Sequence, residues 1–175
     1  MGDVILKSIT LSSLEERYLE LSSSLVRTPT VKLTSPFLID LIKASQIYLK
    51  LECFQYSGTF KARGALSVAK QIPEKDKKFG ITAASAGNHA IAAAWAAKVE
   101  NLSAKVVMQT SANPFRISLA KTYGAEIIMK EGGVATFAEA DKLVREEKRT
   151  FIHPFDGLDT TLGAAGVGLE LIKDC

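Results

Sequence analysis

The residues best suited to chemistry lie in two short stretches. The first, Ser57-Gly58-Thr59-Phe60-Lys61-Ala62-Arg63-Gly64-Ala65, is a turn that opens a helix at or beside Lys61. A lysine near a helix start is unusual, because the positive end of the helix dipole disfavours its cation. The neutral amine gains by comparison, and it is the form that attacks an aldehyde to make a Schiff base. The competing reading is a solvated surface lysine. The second stretch, Ser85-Ala86-Gly87-Asn88-His89, is a loop leading into a helix. Backbone amides at a helix start, a glycine that permits close approach, and Ser and Asn side chains suit a carboxylate or phosphate. The alternative is that Ser85 or Asn88 simply caps the helix.

Other chemistries find less support. There is no Gly-x-x-x-x-Gly-Lys-Ser/Thr, and Gly163-Ala-Ala-Gly-Val-Gly has its glycines in the reverse order of the dinucleotide fingerprint, outside the required strand-loop setting. His89 and His153 are far apart with no third ligand spacing beside them, so a metal site is not expected and His153 reads as a hydrogen-bonded structural residue. The two cysteines, Cys53 and Cys175, form neither a disulfide framework nor a zinc motif. Glu131, Glu139 and Asp141 read as a solvated helix face or end, and Trp95 as core.

The elements that must position these stretches follow from periodicity. A helix begins at Leu11 and runs to the serines at 22–24, Arg27-Thr28-Pro29 forces extended or turning backbone, and Pro36 to Ala44 reads as a second helix. Alternation from Ile47 to Leu51 predicts a half-buried strand. Helical spacing of Ala62, Ala65, Leu66 and Ala69 stops at Pro73. Strands are then expected over Phe79–Ala84, Ala104–Gln109 and Glu126–Lys130, with another starting at Thr150–His153. Between them lie a buried helix over Ala90–Val99, one capped by Asn113-Pro114 and ending at Gly124, and one carrying Phe137, Ala140 and Val144. A last helix is marked by Leu162, Ala165, Leu169 and Ile172. Strand and helix in turn imply an α/β architecture with a largely parallel sheet and ligands at the C-terminal strand ends.

Composition narrows the function classes. A chain of 175 residues, 47% hydrophobic and 23% charged, can bury a core, and its net charge of +3 is scattered among acidic residues. Nucleic acid is not an expected partner. No window approaches the run of about 20 apolar residues of a membrane helix. The N-terminus lacks a signal-peptide pattern, and Leu6 stands where a myristoylation signal wants Ser or Thr. A cytoplasmic location is the default expectation.

In order, Arg27-Thr-Pro, Tyr48-Leu-Lys-Leu-Glu52, Gln55, the Lys61 segment, Ser85-Ala-Gly-Asn-His-Ala90, Asn113-Pro114, Gly124-Ala-Glu-Ile-Ile128 and His153-Pro-Phe-Asp156 resemble the front part of the serine/threonine dehydratases. These are fold-type-II, tryptophan-synthase-beta-like enzymes of pyridoxal 5'-phosphate. By that resemblance Lys61 would bond the cofactor aldehyde, Phe60 would pack on its ring and Asn88 would hydrogen-bond its ring hydroxyl. Ser85, Gly87, Asn88 and His89 would hold the substrate carboxylate.

The implied activity is β-elimination from L-threonine or L-serine, giving a 2-oxo acid and ammonia, in a homo-oligomer. Ala86 stands where serine racemases place a serine that transfers protons, so dehydration is favoured over racemisation. The resemblance further implies an incomplete chain: residues 1–52 as the leading part of a large domain, 53–152 as the small α/β domain, and 153–175 as a return into the large one. The family's glycine-rich phosphate cradle would lie in the remainder. Asp156-Gly157 and Thr160-Thr161 depart from the commonest family pattern. The alternatives are a catalytically incomplete piece with an interaction or regulatory role, or a serine racemase.

Overall fold

The structure, a computed structural model, describes residues 8–43 and 46–175. Its centre is a four-stranded parallel sheet of β3 (Ile81–Ala84), β4 (Ala104–Gln109), β5 (Glu126–Lys130) and β6 (Thr150–Phe151), in the order β5-β4-β3-β6. Register is set by the pairs Ile81 with Ala104, Lys105 with Glu126, and Ile81 with Thr150. All four residues of β3 are buried, as expected of a strand flanked on both sides and covered on both faces. The strand order reverses between β3 and β6, so a crevice opens at the C-terminal ends of those two strands.

One face of the sheet is covered by α5 (Asn88–Val99), with α6 (Pro114–Thr122) alongside, and α3 (Lys61–Lys70) packs on the far side of α5. Helix α5 is buried from His89 to Ala97, because its alanines allow close approach on every side and Trp95 fills the remaining space. The other face is covered by α7 (Gly132–Glu147), whose Ala140 and Leu143 pack on Ala84 and Val107. Asn113 caps α6 by accepting from the Phe115 amide at 2.8 Å, with Pro114 in the first turn. Helix α1 (Leu11–Ser22) starts in a capping box in which Thr10 and Ser13 satisfy each other's amides.

The α/β class and the parallel sheet are as the sequence predicts, and several boundaries differ. The second helix, α2 (Pro36–Leu41), ends at Leu41, and its expected last residue, Ala44, lies outside the described residues. Phe79 precedes rather than joins β3, since α4 (Glu74–Lys77) and the left-handed Gly80 (φ +71°) turn the chain into the strand. Asn88 and His89 belong to the helix rather than the loop. The last helix is two, α8 (Leu158–Ala164) and α9 (Gly166–Asp174), broken where Gly166 passes Tyr18 and Arg63. The strand at Tyr48–Lys50 (β2) finds an antiparallel partner in Thr30–Lys32 (β1), a pairing with no local signal.

Helix α3 is held by ions. The fully buried Arg63 donates to both oxygens of Glu52, at 2.8 and 2.9 Å, and to both oxygens of Glu170, at 2.9 and 3.0 Å. Lys50 reaches Glu170 at 2.7 Å and Asp174 at 3.3 Å. Such paired forks satisfy the charges that burial would otherwise make costly. Burial pushes the Glu170 carboxyl up, but hydrogen bonds from Arg63 and Lys50 outweigh it and hold it below the usual carboxylate value.

Candidate active site

Lys61 is the first residue of α3, and two glycines let that helix approach α8 closely. A Cβ on Gly64 would lie 3.1 Å from the Thr160 carbonyl oxygen, and one on Gly163 would lie 2.5 Å from the Arg63 carbonyl oxygen. The lysine side chain projects into a cleft of about 350 Å³ whose walls include Phe60, Ala65, His89, Pro154 and Phe155. Its Nζ donates to the Pro154 carbonyl at 2.5 Å and stands 4.8 Å from the centre of the Phe60 ring. Pro154 follows β6, so the amine lies at the crevice where the strand order reverses.

His89 borders the same cleft from the first turn of α5 and is 4% exposed. Burial, which disfavours the imidazolium, lowers its pKa from 6.5 to about 4, with the Lys61 charge adding to the effect against the Ile152 carbonyl. The neutral ring donates through Nε2 to the Ile152 carbonyl at 2.8 Å. That commits the His89 side chain to the turn after β6, so only its backbone at the helix start would be open to an anion. Ser85 accepts from the Gly87 amide at 3.1 Å, closing the loop that follows β3. Gly87 lies under the Arg116 guanidinium, 3.2 Å from where a Cβ would stand.

The structure thus brings Lys61, Phe60 and His89 to one cleft and seats Ser85 and Gly87 in the adjoining loop. Asn88, exposed, faces a neighbouring hollow with Ser57, Gly58, Arg116 and Tyr123. Residues that sequence reasoning did not single out for the cleft are Pro154 and Phe155 and, on α8, Thr160, Thr161 and Ala164. A loop at the C-terminal end of a strand was the available signal for the first pair; nothing local marked the α8 residues. Among the described residues no group of His, Cys, Asp and Glu could hold a metal ion.

The lining fits the ring and aldehyde of the cofactor implied by the family resemblance. It offers a primary amine, an aromatic face at Phe60 and an apolar wall of Ala65, Phe155, Ala164 and Ala165. Among the described residues that line it, Lys61 is the only cation, so the phosphate finds no second charge there.

The family profile described as "Pyridoxal-phosphate dependent enzyme" matches residues 21–175. A phenylserine dehydratase of Ralstonia pickettii is 42% identical over 132 residues, covering 75% of this chain and 40% of that protein. A catabolic L-threonine dehydratase of Staphylococcus aureus is 34% identical over 167 residues, covering 95% of this chain and 48% of the relative. The chain therefore spans about half the length of the curated relatives it matches. Among solved structures, a T.th. threonine deaminase superposes with a TM-score of 0.83 at 34% identity, covering 95% of this chain and 52% of that one. Maize serine racemase gives 0.86 at 29%, covering 95% and 50%.

Proposed function

Because the chain belongs to the pyridoxal-phosphate dependent enzymes of fold type II, we propose that the protein removes water from a β-hydroxy-α-amino acid, L-threonine or L-serine, leaving an enamine that takes a water back as it sheds its nitrogen, so that the net products are a 2-oxo acid and ammonia. The observation that carries this reading is the Lys61 amine, set at a helix start inside an apolar cleft at the sheet's crevice, 2.5 Å from the Pro154 carbonyl. Pyridoxal 5'-phosphate, the family's cofactor, supplies when bound a ring that takes up the charge left at the substrate Cα.

The chain's own residues do the rest. Lys61 holds the cofactor through its Nζ and, once released, takes the Cα proton on that same nitrogen. Phe60 packs on the ring and Asn88 is assigned its hydroxyl. Ser85, Gly87, Asn88 and His89 hold the substrate carboxylate at the start of α5, where amides without helical partners face outward. Elimination is favoured over racemisation by Ala86, half-buried against the core, whose methyl group transfers no proton. The working protein is a homo-oligomer in this reading.

A second reading of the substrate is supported by one relative. The 42% identical relative is named a phenylserine dehydratase, and a β-aryl group is the difference between that substrate and serine. The ratio of kcat/KM for 3-phenylserine over threonine decides between them.

The test of the reading as a whole is an absorbance spectrum after adding pyridoxal phosphate, with 2-oxo acid release measured alongside. A band near the visible edge that is lost in Lys61→Ala, together with loss of turnover, is the expected result. A wild-type protein with neither band nor product sinks the reading.

A further inference from the structure

The chain has two histidines, and both hold the same turn. His89, from α5, donates through Nε2 to the Ile152 carbonyl at 2.8 Å, while the Ile152 amide donates back to the Thr82 carbonyl of β3 at 2.9 Å. The Ile152 residue, fully buried, is thereby clamped at both of its backbone polar groups.

Immediately after it, His153 folds the chain around its own ring. The His153 Nδ1 accepts from the Asp156 amide at 2.8 Å and from the Phe155 amide at 3.3 Å. An Nδ1 that accepts two amides carries no proton, which places the ring proton on Nε2. The ring is caged edge-on by Phe151, with centroids 5.7 Å apart, and by Phe155 at 4.6 Å. Between these two anchors stands Pro154, and its carbonyl is the group that accepts from the Lys61 amine.

We propose that His89 and His153 are positioning residues that build a carbonyl cradle at Pro154, which holds the Lys61 amine inside the cleft. The inference rests on the reading that Lys61 is the working amine. A lysine has four flexible carbons and gains entropy by swinging to solvent, so holding its nitrogen at one point requires an acceptor that does not itself move. A carbonyl in an unbraced loop would follow the lysine. Here the chain just before Pro154 is tied to β3 and α5, and the residues after it are tied to an imidazole. With one N–H committed to Pro154, the amine keeps its remaining directions for the cleft lined by Phe60 and Ala65.

The test uses the cofactor-free protein and two reactions of the same amine. The first is acylation of Lys61 by a small succinimidyl ester, read by mass spectrometry. The second is the rate at which the visible-edge band grows after adding pyridoxal phosphate. In His153→Leu, which lacks the acceptor, acylation of Lys61 is expected to rise several-fold while band formation falls several-fold, since the amine leaves the cleft for solvent. General loosening of the fold would instead speed both. His153→Asn, whose side-chain oxygen accepts from amides two residues on, is expected to restore both rates towards wild type.

Rates that move together, or fail to move, in a folded His153→Leu overturn the proposal. Should that variant not fold, the wild-type protein still decides. Long-range proton–nitrogen NMR must show the proton of both histidines on Nε2, and a protonated Nδ1 on neutral His153 overturns the cradle. If wild-type protein gives no band at all, the proposed function fails, yet the acylation rates and the tautomer still judge the cradle.

Discussion

Burial of the His89 imidazole, which brings its pKa from 6.5 to about 4, makes a prediction at the scale of one residue. Between those values the unfolded chain binds a proton that the folded chain refuses. The contribution to stability is therefore full above pH 6.5 and is lost as the pH falls, by about 3 kcal/mol at pH 4. Urea unfolding at pH 7 and pH 4.5 is expected to show this loss, and His89→Gln, which cannot titrate, is expected to flatten it. A second single-residue expectation concerns Ala86: Ala86→Ser should leave dehydration largely intact, measured as 2-oxo acid release. A severe loss of turnover from that change would count against placing the loop at the substrate.

At the scale of elements, the seam between α3 and α8 decides where Lys61 stands. A Cβ on Gly163 would overlap the Ser67 Cβ and lie 2.5 Å from the Arg63 carbonyl oxygen, and neither can yield without moving a helix. Gly163→Ala is therefore expected to cost roughly 1–3 kcal/mol, the range of an overpacked core. Gly64→Ala meets Thr160 at 3.1 Å and should cost less, because that contact relaxes with a small shift. Gly168, exposed on α9 with open space around it, provides the contrast. Gly168→Ala should gain about 0.5–1 kcal/mol through reduced backbone freedom in the unfolded chain. Denaturant midpoints of the three variants, at unchanged slope, check the ordering.

At the scale of the whole molecule, the buried ions join segments that lie far apart in the chain. Arg63 is shared by Glu52 and Glu170, and Lys50 ties Glu170 to Asp174. Arg63→Met would leave two carboxylates without their shared partner and is expected to cost about 3–5 kcal/mol, read by urea unfolding. Hydrogen bonds from Thr30, Arg27 and Lys50 hold the Asp174 carboxyl down at about 2, and Glu170 is held low by Arg63 and Lys50. Carboxylates with depressed pKa stabilise above their unfolded values and lose that contribution as pH falls through the folded ones, in the same direction as His89. Periodicity was enough to read the α/β class, the alternation of the four sheet strands with their longer helices, and a lysine at a helix start, since each depends on residues within a few positions of one another. The β1–β2 pairing, the break at Gly166 and the fork on Arg63 were not legible, because they depend on partners up to 107 positions apart. The same division runs through the candidate site. Lys61 and the stretch from Ser85 to His89 announced themselves by type and local spacing, while the acceptor facing the amine, 93 positions away at Pro154, was decided by the packing of α3 against α8 together with the pairing that sets β6 beside β3. Local sequence determines backbone conformation through short-range sterics and hydrogen bonding; which carbonyl meets which amine is set by packing of the whole chain.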